Sequence, residues 1–402
     1  MSRTDSGTSH PGGLRSFAAT IARALVAALV FFGACELGAR YLFGFRPLTP
    51  GTFLFEAHPR WGWTHQANAS EMFVKLGFQQ PIHINSKGLR ERELPYDKEP
   101  GVFRVFVVGD SNVAGFEVGE DETFTRVTES ILRAEGHRVE FINGGHRGYG
   151  TDQSLLFLSD EGMKYHPDLV LYFWSDNDLD DNVTIHRPFR RFGKGWFDLD
   201  ADGALVMKGV PVPEYPYDEG LQVGDDGQVR HLVVPGAVRA SVALRDALAL
   251  HSGFATFLVW AVANMPSAEK TVVGSGSFAD FQESGGQLPA VDPASRTFRL
   301  TLALIREMQR VAADGGARFQ MIGIGGAWSK ALRAAAGMPE LSDWDRYVAA
   351  IPDPKAVKTP FDPHWNALGN KIYAEQLSKL LVDNGFVPPA VAVSAVGPGD
   401  AH

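Results

Sequence analysis

The sequence predicts an α/β protein: a three-layer α/β/α sandwich with a mostly parallel sheet, interrupted by an inserted region of hairpins and helix. Two observations carry this prediction. From residue 103 onward, short apolar runs alternate with amphipathic stretches, a pattern typical of parallel strands covered by helices on both faces. Polar clusters follow the apolar runs, where ligands bind in open sheets of this class. The 402 residues, 45% of them hydrophobic, suffice for a full core.

Each element of the sheet has a local signature. FRVFVVG, residues 103–109, is a continuous apolar strand, and DETFTRVTESILRAEG is an amphipathic helix closed by Gly136. RVEFIN and DLVLYFW predict the next two strands, with the helix TDQSLLFLSDEGMKY between them. A helix over residues 295–314, the strand RFQMIGIG and a terminal helix closed by Gly385 complete the pattern.

Changes in composition predict the domain boundaries. Residues 1–16 and 387–402 have the composition of disordered ends. Residues 51–100 predict a small β region that leads into the main domain, residues 101–386. The tryptophans of that β region are interpreted as core packing rather than as a binding platform.

Residues 183–290 interrupt the alternating pattern. They contain DLDADGALV and GDDGQVRHLVV, which are typical of hairpins, and then an apolar helical stretch from about Ala240 to Met265. We expect an insertion over one end of the sheet. Two interpretations stay open for it, a cover that shapes substrate access and a plain structural lobe.

The N-terminal segment predicts a membrane anchor. Arginines precede the uncharged run ALVAALVFFGAC, residues 24–35, within the segment 17–45. The run is shorter than the roughly 20 residues that span a bilayer, but Arg23 and Arg40 could snorkel toward opposite headgroup layers. We expect a single-pass anchor in a bacterial inner membrane with the rest of the chain periplasmic. A cleaved secretory signal, a lipoprotein at Cys35 and an amphipathic soluble helix are the alternatives.

Charge and cysteine content exclude some classes of partner and linkage. The net charge is -9 and the pI about 5.7, without any basic block, which argues against a nucleic-acid partner. The single cysteine excludes an intrachain disulfide. Neither property indicates the oligomeric state.

A serine, a histidine and an aspartate stand where the predicted sheet would bring them together. The first three strands end in the polar clusters GDSN, NGGHRGYG and SDND. A serine hydroxyl such as that of Ser111 is a poor nucleophile unless a base takes its proton and a third group orients that base. FDPHWNALG supplies both, because residues two apart in an extended segment point the same way and Asp362 could therefore orient His364.

Attack on a carbonyl also requires donors for the developing oxyanion. The backbone N–H of Ser111, an N–H of the glycine-rich second loop and the side-chain amide of Asn177 can each donate one hydrogen bond. These donors and the serine, histidine and aspartate together indicate acyl transfer through an acyl-enzyme.

The blocks GDSN, NGGHRGYG, SDND and DPHWN occur in the order of the four signature blocks of the SGNH/GDSL hydrolase superfamily. The chain resembles that family from about Val105 to Leu381. The resemblance implies that Ser111 is the nucleophile, that His364 is the base and that Asp362 orients this base. It also implies that Gly148 in the second loop and Asn177 donate hydrogen bonds to the oxyanion.

The spacing of the last block bears on the substrate. Many members of the family place the aspartate three residues before the histidine, whereas Asp362 precedes His364 by two. This spacing is similar to that of the alginate O-acetylation enzymes and other membrane-anchored bacterial members. It implies an extracytoplasmic esterase or O-acetyl-transfer enzyme acting on acylated carbohydrate. A noncatalytic glycan-binding or scaffold protein that keeps the fold is the alternative.

Four further residues beside these blocks are candidate substrate contacts: Asn112, His146, Arg147 and Asp178. No cofactor is expected. No metal site is expected either, because the aspartates of SDNDLDD have no histidine or ligand-spaced partner and are typical of a solvated, capped loop.

Overall fold

The computed structural model describes residues 12–42, 47, 52–75, 78–232, 234–263, 290–323, 326–339, 353–359 and 362–390. The chain divides into two compact units, residues 1–48 with 243–268 and residues 49–242 with 269–402. The strands are β1 (Phe55–His58), β2 (Gly62–His65), β3 (Ser70–Lys75), β4 (Phe78–His83), β5 (Phe103–Gly109), β6 (Val139–Gly145), β7 (Leu169–Trp174), β8 (Thr184–His186), β9 (Trp196–Leu199), β10 (Leu205–Lys208), β11 (Gly220–Val223), β12 (Val229–Leu232) and β13 (Arg318–Gly323). The helices are α1 (Gly12–Tyr41), α2 (Ser111–Ala114), α3 (Phe124–Ala134), α4 (Thr151–Asp160), α5 (Asp178–Val183), α6 (Gly236–Ala249), α7 (Gly253–Ala263), α8 (Arg296–Asp314), α9 (Gly326–Ala335) and α10 (Ala367–Asp383).

A parallel sheet forms the centre of the larger unit. Within the described chain its strands lie in the order β6-β5-β7-β13, and each neighbouring pair is parallel. The carboxyl ends of β5, β6 and β7 therefore meet at one edge. The predicted α/β class with a mostly parallel sheet is confirmed.

Helices cover both faces of this sheet because its strands are apolar on both sides. Phe106 and Val108 of β5 pack into a core with α4, α8 and α9. Val105 and Val107 face the opposite core, which contains α3 and α10. Side chains alternate between the two faces of a strand, so a continuous apolar run serves both cores.

The β region predicted over residues 51–100 consists of two antiparallel hairpins, β1-β2 and β3-β4. A small core beneath them contains Phe73 and Ile82, together with Ala114 and Phe116 from the chain that follows β5. The hairpins thus support the turn that carries Ser111. The tryptophans Trp61 and Trp63 are half-buried and pack against the main core, as the sequence predicted.

The inserted region begins with the predicted hairpins, β9-β10 and β11-β12, the latter joined to β8. The apolar stretch that follows forms two helices, α6 and α7, with a break at residues 250–252. Residues 243–268 belong to the same compact unit as the N-terminal helix.

The N-terminal helix begins at Gly12, inside the stretch expected to be disordered. Among the residues described, Ala19–Tyr41 is the one helical segment long and apolar enough to cross a membrane, with mean hydropathy 1.8 over its best window. The remaining predictions of disorder, for residues 1–11 and 391–402, lie outside the described residues. Residues 387–390 are described, and Pro388 accepts a hydrogen bond at its carbonyl from the ring of His137.

Candidate active site

Ser111 stands at the carboxyl end of the central strand β5. It is the first residue of α2, and the Asp110 side chain caps that short helix by accepting the Asn112 N–H at 2.8 Å. The end of β6 packs directly against α2. The approach is so close that a Cβ at Gly145 would lie 2.3 Å from the Ala114 nitrogen. Ser111 is half-buried, so its hydroxyl is accessible to a substrate.

The structure brings Ser111, His364 and Asp362 together although 253 residues separate the first two along the chain. The Ser111 Oγ lies 2.7 Å from Nε2 of His364, and the other ring nitrogen, Nδ1, bonds to Oδ1 of Asp362. A carboxylate only accepts hydrogen bonds, so Nδ1 carries the proton and Nε2 accepts the serine proton. This is the tautomer that a general base requires.

The local conformation of the DPH segment explains why a two-residue spacing suffices. Asp362 Oδ1 also accepts the backbone N–H of His364 at 3.0 Å, which closes a tight turn around the carboxylate. Burial by itself raises the pKa of Asp362, but the hydrogen bond from His364 together with the nearby charges of His364, Lys75 and Arg147 outweighs it, and the pKa lies well below its usual range. Asp362 is therefore ionised at every pH at which a histidine base works.

A second carboxylate, which sequence reasoning missed, lies beside the same ring. Glu117 Oε1 is 3.5 Å from Nδ1 of His364, and its side chain is almost fully buried. Arg147 donates to this carboxylate at 2.6 Å and stacks its guanidinium over the rings of Phe73 and Phe116. Glu117 lies in GFEVG, a stretch with no spacing or composition signal for a site.

A second missed residue, Arg90, holds the chain that follows Ser111. Its guanidinium is buried and donates to the carbonyls of Ala114, Gly115 and Val118, two of them at 3.0 and 2.6 Å. These are carbonyls at and beyond the end of α2, where no intrahelical donor is available. Arg90 lies in NSKGLR, so it fixes the serine turn from the β region.

The two predicted backbone donors for an oxyanion are unengaged. The backbone N–H groups of Ser111 and Gly148 have no hydrogen-bond partner among the described residues. Gly148 has φ of +78°, a left-handed conformation that favours glycine, and it is exposed. A glycine is therefore suited to presenting an N–H in this loop.

The third predicted donor, Asn177, is held by another side chain. Its Nδ2 donates to Asp181 Oδ2 at 2.7 Å, while its Oδ1 is buried without a hydrogen-bond partner in the described chain. Burial raises the pKa of Asp181 to about 6 despite the neighbouring charge of Arg187. One N–H of the Asn177 amide thus has a partner before any substrate binds.

Two of the four candidate substrate contacts, Asn112 and Asp178, are hydrogen-bonded to neighbouring side chains, and Asp178 is also buried. Asn112 donates through Nδ2 to Asp110 and, at 3.2 Å, to Ser175 Oγ, which ties the ends of β5 and β7 together. Asp178 is 1% exposed and accepts the Tyr172 hydroxyl at 2.5 Å. Burial and the charge of Asp110 raise the pKa of Asp178 well above its usual range.

The other two, His146 and Arg147, are adjacent in sequence but differ in environment. His146 is fully buried, with its ring stacked on His65 at 4.2 Å and on Tyr149 at 4.6 Å. Burial lowers its pKa to about 4. A side chain with no exposed surface cannot contact a substrate, so His146 is a core residue. Arg147 remains half-buried beside Glu117.

Three side chains of the site could in principle hold a cation, because ligand atoms of Glu117, Asp362 and His364 lie within 4.8 Å of one another. Both ring nitrogens of His364 are already bonded, to Asp362 and Ser111, and Glu117 accepts from Arg147. This donor set fits an oriented histidine base better than a metal ligand.

Comparison with known proteins shows structural similarity alone. No protein-family model and no curated protein sequence matches the chain. Solved structures similar to the chain include TesA (11% identity, TM-score 0.36, 69% of this chain and 97% of that one) and a lipase/acylhydrolase from Enterococcus faecalis (15%, 0.31, 72% and 100%). An acetyl xylan esterase, AlAXEase, is also similar (13%, 0.26, 68% and 98%). Similarity at this level carries no argument about activity, which rests on the site.

Proposed function

We propose that this chain is a serine-dependent ester hydrolase of the SGNH/GDSL type. Ser111 is the nucleophile, His364 the general base and Asp362 the group that orients the base. The observation that carries the proposal is the 2.7 Å contact between Ser111 Oγ and His364 Nε2, with Asp362 on the other ring nitrogen. An ordinary turn serine needs neither an aligned base nor an acid behind it.

The reaction follows from these positions. The Ser111 oxygen bonds to the acyl carbon as Nε2 of His364 takes the hydroxyl proton, and the N–H groups of Ser111 and Gly148 stabilise the oxyanion. The ester C–O bond then breaks, and the imidazolium returns its proton to the leaving alcohol. Water, deprotonated by His364, then attacks the acyl carbon of the acyl-enzyme. The resulting tetrahedral intermediate collapses, which releases the carboxylic acid, and His364 returns the proton to the Ser111 oxygen.

We further propose that the substrate is an acylated carbohydrate outside the cytoplasm. The apolar helix Ala19–Tyr41 supports a membrane anchor, and the arginines on its N-terminal side favour an orientation with the remaining chain across the membrane. The Asp-x-His spacing supports kinship with anchored enzymes that move acetyl groups on polysaccharides. If a sugar hydroxyl replaces water in the second step, the same site performs O-acyl transfer.

Labelling by a fluorophosphonate and hydrolysis of p-nitrophenyl acetate test the nucleophile. We expect the wild type to label, and Ser111→Ala and His364→Ala to lose labelling and roughly 10⁴-fold or more in kcat. Ser70→Ala is a matched control, because Ser70 Oγ lies 2.9 Å from Nδ1 of His83 in an exposed Ser-His pair outside the site. A folded wild type that does not label, or a Ser111→Ala variant that does, would refute the proposal.

A second assay separates hydrolysis from transfer. The wild type is incubated with an acetylated sugar, with and without an unacetylated oligosaccharide acceptor, and the products are identified by mass spectrometry. Free acetate in both cases indicates an esterase, and an acetylated acceptor indicates a transferase.

A further inference from the structure

We infer that α7 is a second membrane-embedded element, which begins in the outer half of the bilayer beside α1 and is attached to it through Glu36. The inference rests on the proposed anchor and is independent of the chemistry at Ser111. The two helices belong to one compact unit and pack on each other.

Glu36, a residue of α1, joins the two helices because its side chain caps the amino end of α7. Its carboxylate accepts the Ser252 hydroxyl at 2.7 Å and the backbone N–H groups of Gly253 and Phe254 at 2.9 and 2.8 Å. These are donors at the start of α7, which have no partner within that helix. Phe32, one turn before Glu36 in α1, packs its ring against Phe254 at 6.4 Å.

This arrangement also stabilises the carboxylate of Glu36, which is costly within a membrane helix unless it is paired or hydrogen-bonded. Glu36 lies inside the candidate span Ala19–Tyr41, five residues from its outer end. An ionisable group at such a position needs a partner of opposite charge or a set of hydrogen bonds. Glu36 has both, because Arg40 one turn later donates to the same carboxylate and also to the carbonyl of His251 at 3.4 Å.

The composition of α7 suits hydrocarbon rather than water. Its sequence, GFATFLVWAVA, has one polar side chain, Thr256, which is buried and donates to the Ser252 carbonyl at 3.1 Å. Leu258 is 46% exposed. A helix that is apolar all round is stable only within a core or a membrane.

The length of α7 sets how deeply it can reach. Its 11 residues measure about 16 Å at 1.5 Å per residue, roughly half of a hydrocarbon core of about 30 Å. It therefore cannot cross the bilayer by itself, and it begins in the leaflet in which Glu36 lies. A capped amino end permits this, since backbone donors at membrane depth must be satisfied.

Single-cysteine variants of the full chain test the inference, because Cys35 is its one cysteine and Cys35→Ser gives a clean background. Leu258→Cys, Leu29→Cys in α1 and Val229→Cys in the exposed β12 are reconstituted in phosphatidylethanolamine/phosphatidylglycerol vesicles. Each is labelled with a charged, membrane-impermeant maleimide, and full labelling in detergent checks reactivity. We expect Leu258→Cys and Leu29→Cys to label at least about tenfold more slowly than Val229→Cys, since charged reagents are excluded from hydrocarbon.

Each outcome decides the inference. Protection of Leu29→Cys with rapid labelling of Leu258→Cys would overturn it while leaving the anchor intact, and rapid labelling of both would overturn the anchor as well. Adding Glu36→Ala should expose Leu258→Cys but not Leu29→Cys, whereas Glu56→Ala, an exposed acid elsewhere, should change neither. Continued protection of Leu258→Cys in Glu36→Ala would refute the role of Glu36. Hydrolysis of p-nitrophenyl acetate, measured in parallel, reports separately on the proposed function.

Discussion

The two halves of the candidate site differ in how far they are assembled before a substrate binds. On the base side, His364 is bonded at both ring nitrogens and flanked by Glu117. On the oxyanion side, the N–H groups of Ser111 and Gly148 have no partner in the described chain. The difference follows from chemistry, because a base must be held in one tautomer at rest, whereas oxyanion donors are useful only if they remain available. Asn177 departs from this pattern, since its amide already donates to Asp181.

The largest loss of kcat is expected for substitutions on the base side of the site. Asp362→Asn should lower kcat by about 10⁴-fold, because an amide cannot fix the required tautomer. Glu117→Gln should cost far less, about tenfold, because Glu117 makes no direct hydrogen bond to the ring and acts as a positioning residue and nearby charge. Steady-state kcat and KM for p-nitrophenyl acetate, measured across pH, provide the comparison.

The split between kcat and KM separates a positioning role from a merely structural one. Loss of a residue that positions the base should lower kcat with KM nearly unchanged, and Glu117→Asp, which keeps the carboxylate, should recover part of the loss. Asp121→Asn, at an exposed acid, is the control. Equal losses for Asp362→Asn and Glu117→Gln would mean that both carboxylates orient the base.

A smaller effect is expected on the oxyanion side. Asn177→Ala should lower kcat by about 10²-fold with little change in KM if the amide turns part of its donor capacity to the oxyanion. The matched variant is Asn112→Ala, whose amide serves Asp110 and Ser175 and should matter less to kcat. An unchanged kcat in Asn177→Ala would assign the oxyanion hole to backbone donors and leave Asn177 as a partner of Asp181.

The smallest effect on catalysis, with a clear effect on stability, is expected beneath the oxyanion loop. Burial lowers the pKa of His146 from 6.5 to about 4, so between these values the unfolded chain binds a proton that the folded chain does not. Stability should therefore fall by up to about 3 kcal/mol as pH falls from 6.5 to 4. His146→Phe should remove up to one proton from the difference in bound protons between the unfolded and folded chains, which makes the free energy of unfolding less dependent on pH. It should leave kcat at pH 8 nearly unchanged.

Urea unfolding at a series of pH values measures this dependence. His83→Phe, the same change at an exposed hairpin position, controls for loss of a histidine. A slope unchanged by His146→Phe would contradict the assignment of acid sensitivity to this ring, and a large loss of kcat would return His146 to the site.

Much of the fold could be predicted because its signals are local. The strand FRVFVVG occupies the predicted residues 103–109, and the terminal helix ends within two residues of Gly385. Apolar period and closing glycines depend on neighbouring residues alone. The break that divides α6 from α7 lies at His251-Ser252-Gly253, a local polar and glycine signal that the prediction of a single apolar helical stretch overlooked. The helix that begins at Gly12 was not predicted because the surrounding composition is rich in glycine and serine.

The sequence by itself determined the order of the elements, the strand ends that carry Ser111, Gly148 and Asn177, and the local Asp362-His364 unit. Tertiary structure alone decided which side chains complete the site: Glu117 beside His364, Arg90 behind the serine turn and Asp181 on Asn177. It likewise placed Glu36 on the start of α7, 216 residues away in the chain from Ser252. The physical reason is that residue spacing encodes directions within one element, whereas contacts between distant elements arise only when their cores pack.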